Sequence, residues 1–277
     1  MMLQQLKSVG KIALCLLVAL PMSNKGQAQK KFTIFNAIHY RNTPDLSSQS
    51  LHQLNLIYEA HLLDGNKQPS EDSIRKAALK ANNGAPVTLD IEAWSFESGD
   101  IDETIRKYEQ TIHTFKQANP NARIGFYAVV PQIVIHKWRK MRYTENADYS
   151  KWLNTDLKLK PIADKVDLFF PACYTYTDDT VSWKESVIAT IKEIKKYSAD
   201  KPIYAYVWPQ YHGGFPKAIQ FVDPKVWKFE LETLYNLTDG IVIWTSDKDV
   251  HKNTIYWDES MPWWQVTKTF IRQHGIK

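Results

Sequence analysis

Residues 87–94, Val-Thr-Leu-Asp-Ile-Glu-Ala-Trp, are the stretch from which the fold can be predicted. Their apolar run is typical of a buried strand. Asp90 and Glu92 are two residues apart, so on an extended strand their side chains leave the same face, with Cα atoms roughly 6.6 Å apart. Such close like charges predict that one carboxyl group titrates late, which leaves one neutral acid and one carboxylate near pH 7. The simpler alternative is a helix cap and a surface acid at a strand end.

Strands and helices alternate on both sides of this stretch. Runs of β-branched and aromatic residues predict further strands at 32–38, 54–59, 123–130, 167–174, 202–208 and 240–245. Apolar residues at helical spacing predict helices at 70–81, 100–118, 148–162, 183–197, 223–237 and 262–274. This alternation predicts a parallel sheet with helical crossovers.

Two architectures fit that pattern, and the turn after the first strand distinguishes them. A doubly wound nucleotide-binding sheet requires a glycine-rich turn there, and residues 35–44 contain no glycine. A closed barrel instead carries its chemistry on the loops after each strand. Unusual polar and aromatic residues follow the strands here, namely Asn36, Asp90, Glu92, Trp94, Tyr127, Tyr174, Tyr176, Trp208, Tyr211 and Trp244. The sequence therefore predicts an α/β fold, a distorted (β/α) TIM-like barrel of about seven parallel strands.

The first 28 residues differ in composition from the rest. Lys7 and Lys11 precede an apolar run at 12–22, and small residues at 26–28 provide a cleavage site near Ala28. The run is too short to anchor the chain in a bilayer. We therefore expect a signal peptide at 1–28, a single barrel domain at 29–277, export to the periplasm or the medium, and no stable membrane insertion.

Charge and cysteine content limit the partners. Removing Lys7, Lys11 and Lys25 leaves 32 basic residues against 30 acidic ones, an excess of only +2. This excess is too small to predict a nucleic-acid partner. Only Cys173 remains after cleavage, so no internal disulfide can form. The eight histidines include no His-Glu-x-x-His pair, and no Gly-x-Ser-x-Gly turn occurs, so neither a metal nor a cofactor is expected.

Five short motifs lie at or near the predicted strand ends, namely Leu89–Trp94, Gly125–Tyr127, Phe170–Tyr174, Tyr206–Tyr211 and Gly240–Ser246. In order and spacing, from residue 32 to about residue 246, the chain resembles the venom and animal hyaluronidases. Asn36 falls where that family has an asparagine after an aromatic residue. The chain departs from the family in lacking its disulfides, in Thr245 in place of glycine, and in Ala93 in place of a polar or acidic residue.

The resemblance implies a role for each matched residue. Glu92 would be the general acid, and Asp90 would orient the 2-acetamido group of the sugar. The pocket for that group would be lined by Tyr174, Tyr211 and Trp244. Further substrate-binding candidates at the strand ends are Asn36, Trp94, Tyr127, Tyr176 and Trp208.

The implied substrate is a polysaccharide or oligosaccharide, cleaved beside an N-acetylhexosamine. Both acids belong to one strand, so neither is obviously placed across a sugar ring from the other. A substrate-assisted mechanism needs only one acid and a group that holds the amide. Two alternatives stay open at this point: a non-catalytic glycan-binding barrel, and a barrel glycosidase for sugars without an acetamido group.

Overall fold

Short parallel strands alternate with longer helices throughout the chain. The computed structural model describes residues 30–81, 83–132, 138 and 146–277. Its strands are β1 Thr33–Ala37, β2 Leu51–His52, β3 Asn55–Tyr58, β4 Val87–Asp90, β5 Ile124–Phe126, β6 Tyr204–Val207 and β7 Gly240–Trp244. Its helices are α1 Glu71–Lys80, α2 Ile101–Ala118, α3 Ala147–Lys158, α4 Lys160–Lys165, α5 Thr180–Tyr197, α6 Pro224–Leu237 and α7 Pro262–His274.

The parallel strands close into a barrel. One sheet has the order β2-β1-β7-β6 and the other the order β3-β4-β5. At one side the sheets meet because β2 and β3 are two halves of a single strand, interrupted only at residues 53–54. At the other side, single parallel bridges join Phe170 to Tyr127 and Ala172 to Tyr206, so residues 169–172 act as the strand between β5 and β6. The described residues thus form a ring of seven strand positions, as the sequence predicted.

Two elements differ from the sequence-based expectation. The predicted strand at 167–174 is reduced to isolated bridges, and Pro171, which has no N–H to donate, lies in its middle. The predicted helix at 148–162 is two helices, α3 and α4, with Leu159 between them. Pro161 near the start of α4 lacks the N–H that would continue the hydrogen bonding of α3. Neither change alters the order of the barrel strands.

The apolar residues form two layers on either side of the strands. Inside the barrel, bulky side chains including Phe35, Phe170, Tyr206 and Val242 fill the space. Between the strands and the helices lies a larger cluster that includes Ile34, Leu89, Trp227 and Trp264. The inner layer is therefore a packed core, which leaves the ends of the barrel rather than its centre for a ligand.

Two glycines are required where neighbouring strands approach closely. A Cβ on Gly125 would lie 2.4 Å from the carbonyl oxygen of Leu168, and one on Gly240 would lie 2.1 Å from that of Thr33. Any side chain would push the strands apart, so both positions need glycine to keep the barrel closed.

The N-terminal expectations lie outside the described residues. This applies to the signal peptide at 1–28 and the cleavage site near Ala28. Residues 31–277 form one compact unit. Among the described helices, none has the length and apolar character needed to cross a bilayer.

Candidate active site

The ends of the strands bring one side chain each to the C-terminal mouth of the barrel. Neighbours in a parallel ladder point to the same face, so the register identifies this layer. Tyr58 pairs with Asp90, Ala37 pairs with Trp244, and the pairing of Leu89 with Phe126 sets Asp90 beside Tyr127. The other ladders set Trp208 beside Trp244 and Tyr174 beside Trp208, and the ring of Tyr127 lies 6.0 Å from that of Tyr174. The layer at the mouth therefore consists of Ala37, Tyr58, Asp90, Tyr127, Tyr174, Trp208 and Trp244.

Three of these residues form an aromatic wall. The ring of Trp208 meets that of Trp244 edge-on at a centroid distance of 4.9 Å, and Tyr174 lies 5.8 Å from Trp208 and 5.9 Å from Trp244. His212 stacks on Tyr174 at 5.6 Å and lies 4.4 Å from Tyr176. Because Trp244 is only partly buried, its ring remains accessible to a ligand in the mouth. We call Tyr174, Trp208 and Trp244 the aromatic wall.

A hydrogen-bonded chain ties the wall to the end of β3 and to the loop after β1. The indole N–H of Trp244 donates to the hydroxyl oxygen of Tyr58 at 3.2 Å. That hydroxyl is 3.0 Å from Nε2 of His39, whose backbone N–H donates to Oγ1 of Thr245 at 2.8 Å. Burial lowers the pKa of His39, so near neutral pH its uncharged imidazole can accept a hydrogen bond from the Tyr58 hydroxyl. The chain fixes the Trp244 ring in one orientation.

Asp90 is the late-titrating acid of the pair. Its side chain is largely buried, and Oδ1 has no hydrogen-bond partner among the described residues. Burial, followed by the charges of Glu92 and Glu59, raises the pKa of Asp90 to about 7. Near neutral pH this carboxyl group is therefore still partly protonated.

Glu92 occupies a different setting, because β4 ends at Asp90. The expectation that both acids extend from one strand is therefore wrong for Glu92, which lies exposed in the following loop. Oε2 of Glu59 accepts hydrogen bonds from the backbone N–H groups of Glu92, at 3.1 Å, and Ala93, at 2.8 Å. These bonds replace a strand ladder. Among the described residues the Glu92 carboxylate has no hydrogen-bond partner, so it can reach a ligand.

Trp94 supports this loop and borders a cleft. Its indole N–H donates to the carbonyl oxygen of Lys67 at 2.8 Å, and its ring meets Tyr108 edge-on at 4.8 Å. Together with Glu92 and Tyr127 it lines a cleft of about 390 Å³. A slightly larger cavity, about 460 Å³, lies between β3 and α1 and includes neither acid. The smaller cleft is the relevant one because Glu92 borders it, although Asp90 is not among its lining residues.

The structure does not bring every candidate to this mouth. Asn36 alternates with the inward-facing Phe35 and Ala37 and so lies on the outer side of β1, where its Oδ1 accepts the N–H of Ile38 at 3.1 Å. Tyr211 belongs to the outer apolar layer, and its hydroxyl donates to Oδ1 of Asp178 at 2.5 Å. Neither residue has a ring or hydrogen-bond contact with the aromatic wall. In this structure Tyr174 and Trp244 line the mouth without Tyr211.

Sequence reasoning missed two residues of the mouth, Tyr58 and Glu59. Both come at the end of the segment predicted as a strand at 54–59, and a Tyr-Glu pair at a strand end is the same kind of signal as Asp90. Their importance is visible only once β3 is known to pair with β4. Within the described chain no group of three or more His, Cys, Asp or Glu residues is arranged to hold a metal ion.

Comparison with known proteins identifies the fold. No protein-family model matches the chain, and no curated protein matches it in sequence. The structure is similar to a crystal structure of bee venom hyaluronidase, with a TM-score of 0.60 at 11% identity over 87% of this chain and 97% of that one. For the same enzyme in complex with a hyaluronic acid tetramer the TM-score is 0.59 at 13% identity, over 88% and 96% of the two chains.

These similarities show the fold, a TIM-like (β/α) barrel. At such low identity the likeness shows the fold alone, since one barrel fold supports many unrelated activities. The activity must therefore be argued from the side chains at the mouth.

Proposed function

We propose that the protein is a glycoside hydrolase that cleaves glycosidic bonds next to an N-acetylhexosamine by a retaining, substrate-assisted mechanism. The observation that carries this proposal is the pairing of a buried, late-titrating Asp90 with an accessible Glu92 beside the aromatic wall. Export after cleavage near Ala28 is part of the proposal and rests on residues 1–28 of the sequence.

In the first step Glu92 acts as the general acid. Its carboxyl group gives a proton to the glycosidic oxygen as the bond from that oxygen to the anomeric carbon breaks. The carbonyl oxygen of the 2-acetamido group forms a bond to the anomeric carbon from the opposite face, so no protein nucleophile is needed. This suits a site in which the second acid, Asp90, is buried at the end of β4.

In the second step Glu92 acts as a base. It takes a proton from water as the water oxygen attacks the anomeric carbon, and the bond to the acetamido oxygen breaks. Two displacements at one carbon retain its configuration. The same side chain can serve both steps because the first leaves it ionised and the second restores its proton.

Asp90 orients the acetamido group and stabilises the charge that develops on it. As a carboxylate it accepts the amide N–H, and its negative charge lies close to the positive charge of the intermediate. Its burial strengthens both interactions, because a site of low dielectric constant screens the attraction between charges less than water does. The cost of that burial is the raised pKa of Asp90 in the free protein.

The aromatic wall supplies the binding surface. Faces of Tyr and Trp pack against the C–H groups of a sugar while their polar edges remain hydrogen-bonded. The hydrogen bond from Trp244 to Tyr58 and the edge-on contact with Trp208 hold the wall in place before a ligand arrives. We assign the acetamido methyl group to the surface formed by Tyr174 and Trp244.

A glycan panel tests the proposal. The purified protein is incubated with hyaluronan, a chito-oligosaccharide and a β-mannan, and the products are identified by mass. We expect cleavage only of glycans that carry an N-acetylhexosamine, and tight binding of a thiazoline analogue of N-acetylglucosamine, which resembles the cyclised intermediate. Binding without products would instead indicate a non-catalytic glycan-binding barrel. Cleavage of the mannan without inhibition by the thiazoline would indicate a glycosidase that needs no acetamido group.

A further inference from the structure

A third carboxylate, Glu59, contacts the loop that carries Glu92. It follows β3 directly and begins a short 3₁₀ turn at Glu59–His61. Oε2 of Glu59 accepts the backbone N–H groups of Glu92 and Ala93, and Oε1 lies 2.8 Å from Nζ of Lys67. One partly buried side chain thus connects two loops at the mouth of the barrel.

The N–H groups of Glu92 and Ala93 need this partner. The last hydrogen bond between β4 and β5 runs from the N–H of Tyr127 to the carbonyl oxygen of Leu89 at 3.0 Å. Beyond that point the chain leaves the ladder, and its backbone donors would otherwise face solvent. Hydrogen bonds from a backbone N–H to a carboxylate are about twice as strong as neutral ones. Glu59 therefore fixes the backbone of Glu92 rather than its side chain.

The segment from Glu59 to Gln68 also contacts the Glu92 loop at a second point. The carbonyl oxygen of Lys67 accepts the indole N–H of Trp94 at 2.8 Å. Lys67 has a left-handed backbone with φ 59°, and it is held there by a tight turn in which Oδ1 of Asp64 accepts the N–H groups of Asn66 and Gln68. The three-residue stretch 92–94 is thus held at both ends by this one segment, at Glu92 by Glu59 and at Trp94 by Lys67.

The ion pair between Glu59 and Lys67 contributes little to stability by itself, because Lys67 is 59% exposed and solvent screens exposed pairs. The ion pair matters because it keeps Glu59 ionised. The hydrogen bond with Lys67 is the largest cause that lowers the pKa of Glu59 below its ordinary value. Glu59 is therefore ionised at neutral pH, and its negative charge is one of the causes that raise the pKa of Asp90.

We propose that Glu59 is a positioning residue of this site, which holds the Glu92–Ala93 backbone through two hydrogen bonds and, as the residue directly after the ladder partner of Asp90, carries a negative charge near Asp90. The inference rests on the proposed function only in so far as Glu92 acts on a substrate. Its geometric part concerns the free protein and can be tested without any activity.

The first test is an NMR titration of the wild-type chain. The amide resonances of Glu92 and Ala93 should shift together as Glu59 loses its proton, at a pH below the usual range of a glutamate. In Glu59→Gln this shared transition should be absent. The control is Glu71→Gln, which removes an equal charge from an exposed ion pair with Arg75 on α1 and should leave both amides unchanged.

The second test follows the carboxyl carbon of Asp90 in the same samples. Glu59→Gln should lower the pKa of Asp90 below its wild-type value of about 7, and Glu71→Gln should not. With a glycan that the wild type cleaves, Glu59→Gln should reduce kcat by about 10- to 100-fold with KM little changed, because a misplaced acid affects the reaction more than binding.

The outcomes separate the two proposals. If no glycan is cleaved but both titrations behave as expected, the proposed function is wrong and the positioning role of Glu59 stands. If the amides of Glu92 and Ala93 do not respond to Glu59, and the Asp90 transition is the same in Glu59→Gln as in the wild type, the positioning role is refuted whatever the activity.

Discussion

Replacing Asp90 with asparagine should make the fold more stable above neutral pH. Asp90 is the buried acid whose pKa rises from 3.8 to about 7 on folding. Because the folded state holds this proton more tightly than the unfolded chain, the group favours folding at pH values below 3.8, and this contribution is lost as the pH rises through about 7. A shift of about 3 pKa units corresponds to about 4 kcal/mol at full ionisation. Asparagine, which is nearly isosteric and uncharged, removes this dependence.

The assay is denaturant unfolding of the wild type and of Asp90→Asn at pH 5 and pH 8. The free energy of unfolding of the variant should exceed that of the wild type by up to about 4 kcal/mol at pH 8, and by much less at pH 5. Asp102→Asn serves as the control, since Asp102 is an exposed acid in the first turn of α2. An Asp90→Asn advantage that is the same at both pH values would refute the reasoning, because it would show that burial does not disfavour the carboxylate.

Three further predictions concern activity and export. The specificity constant kcat/KM should rise as the pH rises through about 7, the pKa of Asp90, because Asp90 accepts the amide N–H only as a carboxylate; a value that stays the same from pH 5 to pH 9 would contradict this. Trp244→Ala should weaken binding of N-acetyl sugars more than of their 2-hydroxyl counterparts, by about 1 kcal/mol. The control is Trp264→Ala, at a fully buried core position, which should lower the melting temperature strongly. The pocket would be refuted if Trp244→Ala lost affinity equally for both sugars and also showed a large drop in melting temperature. N-terminal sequencing of protein from the native host should find Gln29 at or near the start, whereas an intact Met1 would exclude cleavage.

The barrel could be predicted from the sequence because its pattern is local. The predicted bounds of the helices at 100–118 and 262–274 agree with α2 and α7 to within one residue. Strand propensity likewise located every barrel strand except β2, because the strand predicted at 54–59 begins after it. The sequence could not show that residues 51–58 contribute two strands, β2 and β3, since each pairs with a different neighbour.

The candidate site was predictable in the strands and less so in the loops. Tyr174 and Trp208 face the mouth because alternation along a strand fixes the direction of each side chain. The same alternation turns Asn36 to the outer face of β1, because it lies one position away from the inward-facing Phe35 and Ala37. Tyr211 lies beyond the end of β6, where alternation no longer applies, and it turns toward Asp178 instead.

Asp90 lies in β4 and Glu92 in the loop after it, and this difference depends on a contact with a residue that is distant in sequence. Local propensity extended β4 through residue 94, but the structure ends it at Asp90. The carboxylate that accepts the backbone hydrogen bonds of this loop belongs to Glu59, 33 residues before Glu92. No local pattern predicts that pairing, because it exists only after β3 has docked against β4.

The most direct test of the proposed mechanism is the turnover of Glu92→Gln on a glycan that the wild type cleaves beside an N-acetylhexosamine. Glutamine keeps the size of the side chain and the hydrogen bonds of its backbone to Glu59, but it has no proton to give to the leaving oxygen. We expect kcat to fall by a factor on the order of 100 to 10,000 while the affinity for the glycan and the melting temperature stay close to those of the wild type. Unchanged turnover would remove Glu92 from the reaction and contradict the mechanism.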